Sequence, residues 1–259
     1  MIVKHLLAAL VAGLIAGFLV TGAQQVKVVP LIVQAEKYEQ APAHDHEAAA
    51  EQPNLFRAAF ALATPALAHG EQTGPHDHPD AAPAGEGEEE SGLLFGVSRI
   101  TGTLLANLVT GCGFALLLAA ASLITGRSVT LGNGVLWGSA GWLVFQLLPS
   151  IGLPPELPGF PAADLGARQS WWFATAIASS AGLYGLVLRR EAWAKIVGML
   201  LLAAPHLIGA PQPPTLESGV PALLAAEYAV AALATGLFFW VILGLALGAI
   251  NDRFVETER

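Results

Sequence analysis

The sequence predicts an all-α fold: a polytopic integral membrane helix bundle of about six transmembrane helices with a long acidic, histidine-rich outer connector. Three observations carry this. Of 259 residues, 54% are hydrophobic and only 12% charged, about half the charged share of a soluble domain. The apolar residues gather into runs long enough to cross roughly 30 Å of hydrocarbon as helices. The acidic groups gather instead in one stretch: residues 24–98 hold twelve of the twenty Asp and Glu, five of the seven histidines, and only Lys27, Lys37 and Arg57 as cations. Three regions follow: a first transmembrane helix over 1–23, the connector over 24–98, and a five-helix membrane bundle over 99–259.

The first run, His5–Ala23, follows Lys4 and resembles a leader peptide, but its apolar part approaches twenty residues, which favours a retained anchor. The other runs lie near Gly102–Ile124, Gly132–Ser150, Ser170–Leu188, Trp193–Ala210 and Leu223–Ile250. None has Asp, Glu, Lys or Arg in its middle, and in lipid a backbone must satisfy its own hydrogen bonds, so each is read as a helix. The last is long enough to tilt, or to leave its first turn around Glu227 at the interface. Gly13 and Gly17 give the first helix a Gly-x-x-x-Gly face suited to close packing, within the chain or against a single-span partner. Asn107 and Gln146 are intramembrane polar groups, expected to hydrogen-bond between helices.

Orientation follows from the cations. With a cytoplasmic N-terminus, the cytoplasmic segments hold Lys4, Arg127, Arg189, Arg190, Lys195, Arg253 and Arg259, whereas the short loops on the far side hold Arg168 alone. This satisfies the positive-inside rule with both termini cytoplasmic, the connector periplasmic, and the chain in the inner membrane. Trp171, Trp172, Trp193 and Trp240 fall near predicted span ends, where an aromatic belt would place them.

Within the connector, Pro30 opens a short helix through Glu39. An Ala/Pro/Glu-rich region follows, too poor in apolar surface to order itself. It contains an internal echo. Glu39-Gln40 precedes His44-Asp45-His46 by the same spacing that separates Glu71-Gln72 from His76-Asp77-His78. In an extended chain, residues i and i+2 project to one side, so His44 with His46, and His76 with His78, can each grip one ion. Asp45, Glu47, Asp77, Asp80 and His69 are available to complete a shell. Imidazole and carboxylate without thiolate suit divalent cobalt, nickel, zinc or copper, and protonation near an imidazole pKa of about 6.5 would weaken the grip.

A second echo lies in the membrane half. Ile151-Gly152-Leu153-Pro154 and Ile208-Gly209-Ala210-Pro211 close the third and fifth runs, which hints at two helix pairs of one orientation, as in transporters built from parallel repeats. His206 sits just before the second break. It is read as a ligand that admits an ion; the competing reading is an interfacial histidine bonded to backbone.

Several classes are disfavoured. The pI of 5.3 argues against nucleic acid. The single Cys112 rules out an intrachain disulfide and a cysteine-based metal centre. No Gly-rich phosphate loop or nucleophile–base spacing is present, so the chain is not read as an enzyme and no resident cofactor is expected.

Ordered short segments then resemble a known family. They are Ala12 to Gly17, Pro30 through Ala35-Glu36-Lys37-Tyr38-Glu39, His44-Asp45-His46-Glu47, and Thr103 to Asn107 through Gly126-Arg127. Further on come Leu153-Pro154-Pro155-Glu156-Leu157-Pro158, Ala167-Arg168-Gln169 with Trp171-Trp172, and Pro205-His206-Leu207-Ile208-Gly209-Ala210-Pro211. In this order they resemble the CbtA family of predicted cobalt transporter subunits. The resemblance implies a multi-span subunit for cobalt, with nickel or zinc as the alternative ions, paired with a small single-span, His-rich subunit, CbtB. It supports His44, His46 and His206 as metal ligands; His69, His76 and His78 rest on their chemistry alone. The function expected is uptake of a divalent transition metal, captured on the outer loop and passed to the bundle. The rivals are a non-transporting metal-binding scaffold or sensor, and a membrane redox or cofactor protein.

Overall fold

A computed structural model describes residues 2–39, 98–215 and 217–257. The chain divides into two compact units, one formed by Met1–His44 with Asn107–Arg259 and the other by Asp45–Ala106. Of the second, the described residues are 98–106. They form the opening turns of a helix, with Ser98 Oγ accepting from the Thr101 N–H and Thr103 Oγ1 donating to the Arg99 carbonyl.

The described residues are helical, without strands. α1 covers Ile2–Lys27, α2 Val29–Glu39 and α3 Arg99–Thr125. α4 runs over Gly134–Gly152 and contains a π-helical turn at Leu143–Leu147. α5 runs over Leu165–Leu188 and ends in a second π-helical turn, Tyr184–Leu188. α6 covers Ala192–Ile208 and α7 Ala222–Thr257. Among the described residues, five helices are long and apolar enough to cross a membrane: α1, α3, α4, α5 and α7. The fifth of the six expected spans is α6, which has 17 residues and so reaches about 25 Å at 1.5 Å per residue, short of the roughly 30 Å core. It ends early because Gly209 turns out of the helix at φ 90° and Pro211 follows.

Packing in the first unit inverts the pattern of a soluble protein. On α1, Ala8, Ala9, Ala12, Gly13, Ala16 and Gly17 are buried, whereas Leu7, Leu14, Ile15 and Phe18 are exposed. Lipid tails solvate leucine as well as a protein interior does, so the helices gain from close backbone approach and leave the bulky groups outside. Gly13 faces Gly111 and Cys112 of α3, and Gly17 faces Asn107; a Cβ on Gly13 would lie 2.6 Å from the Cys112 Cα. The Gly-x-x-x-Gly face is therefore used within the chain.

α7 is the hub. α1 packs along it on one side and α4 on another, the second through Gly134 and Gly138 of α4 against Gly244 and Trp240 of α7. Trp240 is 2% exposed and stacks on Phe145 at 5.6 Å between ring centres, with Phe114 4.8 Å away. The belt position expected for Trp240 is thus wrong: Gly141 has no side chain and vacates the space its indole fills. Trp193, by contrast, is exposed, as a belt residue would be. α6 lies antiparallel on α5, with Gly198 against Gly182 and Ala194 against Gly185.

At one end of this unit a cap forms. α2 places Ala35, Leu31 and Ile32 against Leu157 and Phe160 from the α4–α5 loop and Val220, Leu224 and Tyr228 from the start of α7. The expected short helix after Pro30 is therefore present, and the first turns of α7 belong to the cap.

Candidate functional site

The site is assembled where α4 and α6 end and α5 begins. Two buried prolines set its geometry. Pro149 in α4 and Pro205 in α6 have no N–H to give to the carbonyls of Phe145 and Leu201. Both helices close on a bond to a proline carbonyl: the Leu153 N–H donates to the Pro149 carbonyl at 2.9 Å, and the Gly209 N–H to the Pro205 carbonyl at 3.0 Å. The two Ile-Gly-x-Pro ends meet, since a Cβ on Gly152 would lie 2.8 Å from the Ala210 Cβ. Trp171 of α5 completes the contact, its six-membered ring edge lying over Gly152.

His206 stands edge-on to Trp171, with ring centres 6.0 Å apart and planes at 66°. Both imidazole nitrogens and the Trp171 Nε1 are buried, and none has a hydrogen-bond partner among the described residues. The backbone-bonded reading of His206 therefore fails. Three buried polar atoms without partners are costly in any protein, about 1–3 kcal/mol each, and here all three belong to one helix junction. An unprotonated imidazole nitrogen is a metal ligand, and an indole N–H donates to an oxygen carried by the guest.

Around the junction the frame is tied. Arg168 Nη2 meets Glu156 Oε2 at 2.9 Å, joining the α4–α5 loop to the first turns of α5. Asp164 caps α5 by accepting from the Ala167 N–H at 2.8 Å. The Ser218 hydroxyl donates to the Gly159 carbonyl.

His44, His46, His69, His76 and His78 lie outside the described residues. Among the described residues no group of three or more His, Cys, Asp or Glu is placed to hold a metal ion. His206 is consequently not part of a closed cage of such groups within them. Glu217 and Glu227, the two carboxylates before and within the first turns of α7, are exposed. Sequence reasoning missed the role of Trp171, assigned there to the interface; its pairing with His206 depends on how α5 and α6 pack, and no local pattern encodes that. Asn107 meets expectation, donating to Thr21 Oγ1 at 3.0 Å and Gln24 Oε1 at 2.7 Å.

Comparison with known proteins bears on the whole chain. Residues 2–252 match the model of the CbtA family, described as probable cobalt transporter subunit. The chain belongs to the CbtA family. No curated protein and no solved structure matches it. With five helices of crossing length, it is a multi-pass membrane protein of a transporter-subunit family, with cobalt the ion the family is named for. The resemblance drawn from short ordered segments extends over nearly the full length.

Proposed function

We propose that this chain is the membrane subunit of an uptake transporter for divalent cobalt, with nickel as the alternative ion. The connector captures the ion on His44, His46, His69, His76 and His78 with nearby carboxylates. His206 receives it at the junction of α4, α5 and α6, and the bundle conducts it inward. The observation that carries this reading is the His206 ring, with both nitrogens buried and unpartnered against Trp171. The chain's design supports the transfer: α2 is part of the cap and ends at Glu39, five residues before His44, a span of at most about 18 Å when extended. A lone imidazole binds a divalent ion weakly, which suits a ligand that must let go.

The orientation proposed puts the cap in the periplasm. Lys4, Arg127, Arg189, Arg190, Lys195 and Arg253 belong to the opposite helix ends, while Arg168 is at the cap end and is paired. The word subunit in the family description implies a partner; a small single-span, His-rich CbtB-like chain is the partner proposed, with the inner membrane as the location.

Cobalt accumulation in host cells lacking the chromosomal copy tests the reading. Expression of the chain raises accumulation over empty vector, and His206→Ala lowers it about tenfold at limiting metal, in the range found when a metal-site group is lost. Deleting residues 41–90 lowers uptake at scarce cobalt and leaves it unchanged at saturation. Uptake indifferent to His206→Ala at every concentration would remove this residue from the route.

A further inference from the structure

Gln146 is the inward neighbour of this junction along α4. It lies six residues before Gly152, about 9 Å deeper at 1.5 Å per residue, inside the π-helical turn Leu143–Leu147. Its Oε1 is buried and has no hydrogen-bond partner among the described residues. The Ser150 hydroxyl, one turn on, donates to the main-chain carbonyl of Gln146 at 2.6 Å and leaves the side chain unserved. On the facing helix α7 stands Gly236, where any Cβ would run into the Gln146 carboxamide.

These features reinforce one another. A carbonyl oxygen without a donor is unfavourable in a membrane interior, and leucine or methionine would fill the same space without that cost. The π turn widens the helix where Pro149 cannot continue the ladder, and such turns occur frequently at functional sites. In this turn the Leu148 N–H reaches back five residues to the Leu143 carbonyl. A glycine opposite reserves room for the carboxamide. The Gln146 oxygen makes no interhelical hydrogen bond among the described residues, and it is left as a free acceptor facing α7, six residues before Gly152 along α4.

We infer that Gln146 Oε1 is a second station for the cation inside the bundle, binding a divalent metal ion directly or through a water of its hydration shell. This rests on the transport reading above. A neutral carbonyl oxygen attracts a divalent cation through its dipole alone, so it lowers the barrier to passage without trapping the ion. It discriminates poorly among divalent metals, which leaves selectivity to the imidazole. The Gln146 contribution is therefore to rate, and the His206 contribution to affinity.

Cobalt uptake kinetics separate the two. Gln146→Met keeps length and volume but removes the strong acceptor. It lowers the maximal uptake rate about tenfold with the half-saturating concentration unchanged, while His206→Ala raises that concentration. Gln146→Glu supplies a charged oxygen at the same place, so the purified full chain, titrated with cobalt alone, binds about tenfold more tightly than wild type. A Gln146→Met protein that melts like wild type and transports at the wild-type rate overturns the assignment, as does Gln146→Glu with unchanged cobalt binding. If Gln146→Met fails to fold, the Gln146→Glu titration decides. Wild-type protein that adds no uptake over empty vector would sink the transport reading and this inference together; normal wild-type uptake beside normal Gln146→Met uptake sinks this inference alone.

Discussion

The α4 helix passes through two environments, and its two halves are built on opposite rules. In the half before the π turn, Gly134 and Gly138 sit against the backbone of α7 near Gly244 and Trp240. At these two glycines the contact is main chain on main chain. Beyond the turn, the helix end meets Trp171 and Ala210, Trp171 in turn meets His206, and the ring nitrogens of both lack partners among the described residues. The first half gives up side chains for closeness; the second keeps polar side chains that nothing in the protein satisfies. The seam is where close packing holds α4 to α7, and the junction is where the uptake reading puts the ion. Strain of this kind persists where the surrounding structure over-determines it.

The comparison breaks most visibly at Gly138. Gly138→Leu has to displace the main chain of α7, which cannot yield as a side chain can, so the loss should reach or exceed the roughly 1–3 kcal/mol typical of overpacking. Melting of the purified protein in detergent would show it, with Gly113→Leu as the control, because Gly113 has nothing within 4 Å of its would-be Cβ. Equal melting of the two variants would mean that the seam does not hold the bundle together.

The junction should respond with the opposite sign. His206→Leu removes two buried nitrogens without partners, and relief of unsatisfied groups is worth about 1 kcal/mol or more. The variant is expected to melt at or above the wild-type temperature while cobalt uptake falls. A clear drop in melting temperature would show that the imidazole is structural.

The seam and the junction were not equally legible in the sequence. Runs free of charge announce helices because the bilayer leaves no alternative, and all six expected runs are helical. The Gly13/Gly17 face was legible for the same reason, since small residues at a spacing of four have one use in lipid. The short length of α6 could have been read from Gly209 and Pro211 but was masked by hydropathy continuing through Ala210. Trp240 was misplaced because an aromatic residue in a long helix carries no mark of which end it is near; the groove left by Gly138 and Gly141 on another helix decides it. His206 was visible as an isolated histidine beside a proline, yet its lack of partners and its approach to Trp171 are properties of three packed helices. Gln146 illustrates the same limit: a lone amide in an apolar run is expected to bond to a neighbour, and only the packing of α7 reveals that its oxygen does not.

Between the two regimes lies Asn107, a polar group in the membrane that is satisfied. It donates to Thr21 and Gln24 of α1, and Thr21 Oγ1 in turn donates to the Gly17 carbonyl at 2.8 Å. Interhelical hydrogen bonds in membranes average about 0.6 kcal/mol and reach about 1.7. Asn107→Leu should therefore destabilise by about 1 kcal/mol, in contrast to the stabilising change at His206. A melting temperature unchanged by Asn107→Leu would show that close approach of Gly17, and not this network, fixes α1 to α3.

The smallest effect is expected outside the membrane-spanning helices, at the turn between α5 and α6. Glu191 accepts from Arg189 Nη2 at 2.7 Å and Arg189 Nε at 3.1 Å. Its carboxyl is held below the ordinary range, first by a hydrogen bond from its own main-chain N–H and then by the neighbouring Arg189 charge. A carboxylate with a lowered folded-state pKa contributes stability that is fully present above its unfolded pKa of about 4.3 and is lost as pH falls through the folded value. Melting temperatures of wild type and Glu191→Gln should accordingly keep a constant small separation from pH 8 to about pH 5 and converge below about pH 4. Both groups are solvent-exposed, so salt should narrow the separation at neutral pH. A gap that widened on acidification would require the folded-state carboxyl to titrate above its unfolded value, reversing the sign of the local field at this turn.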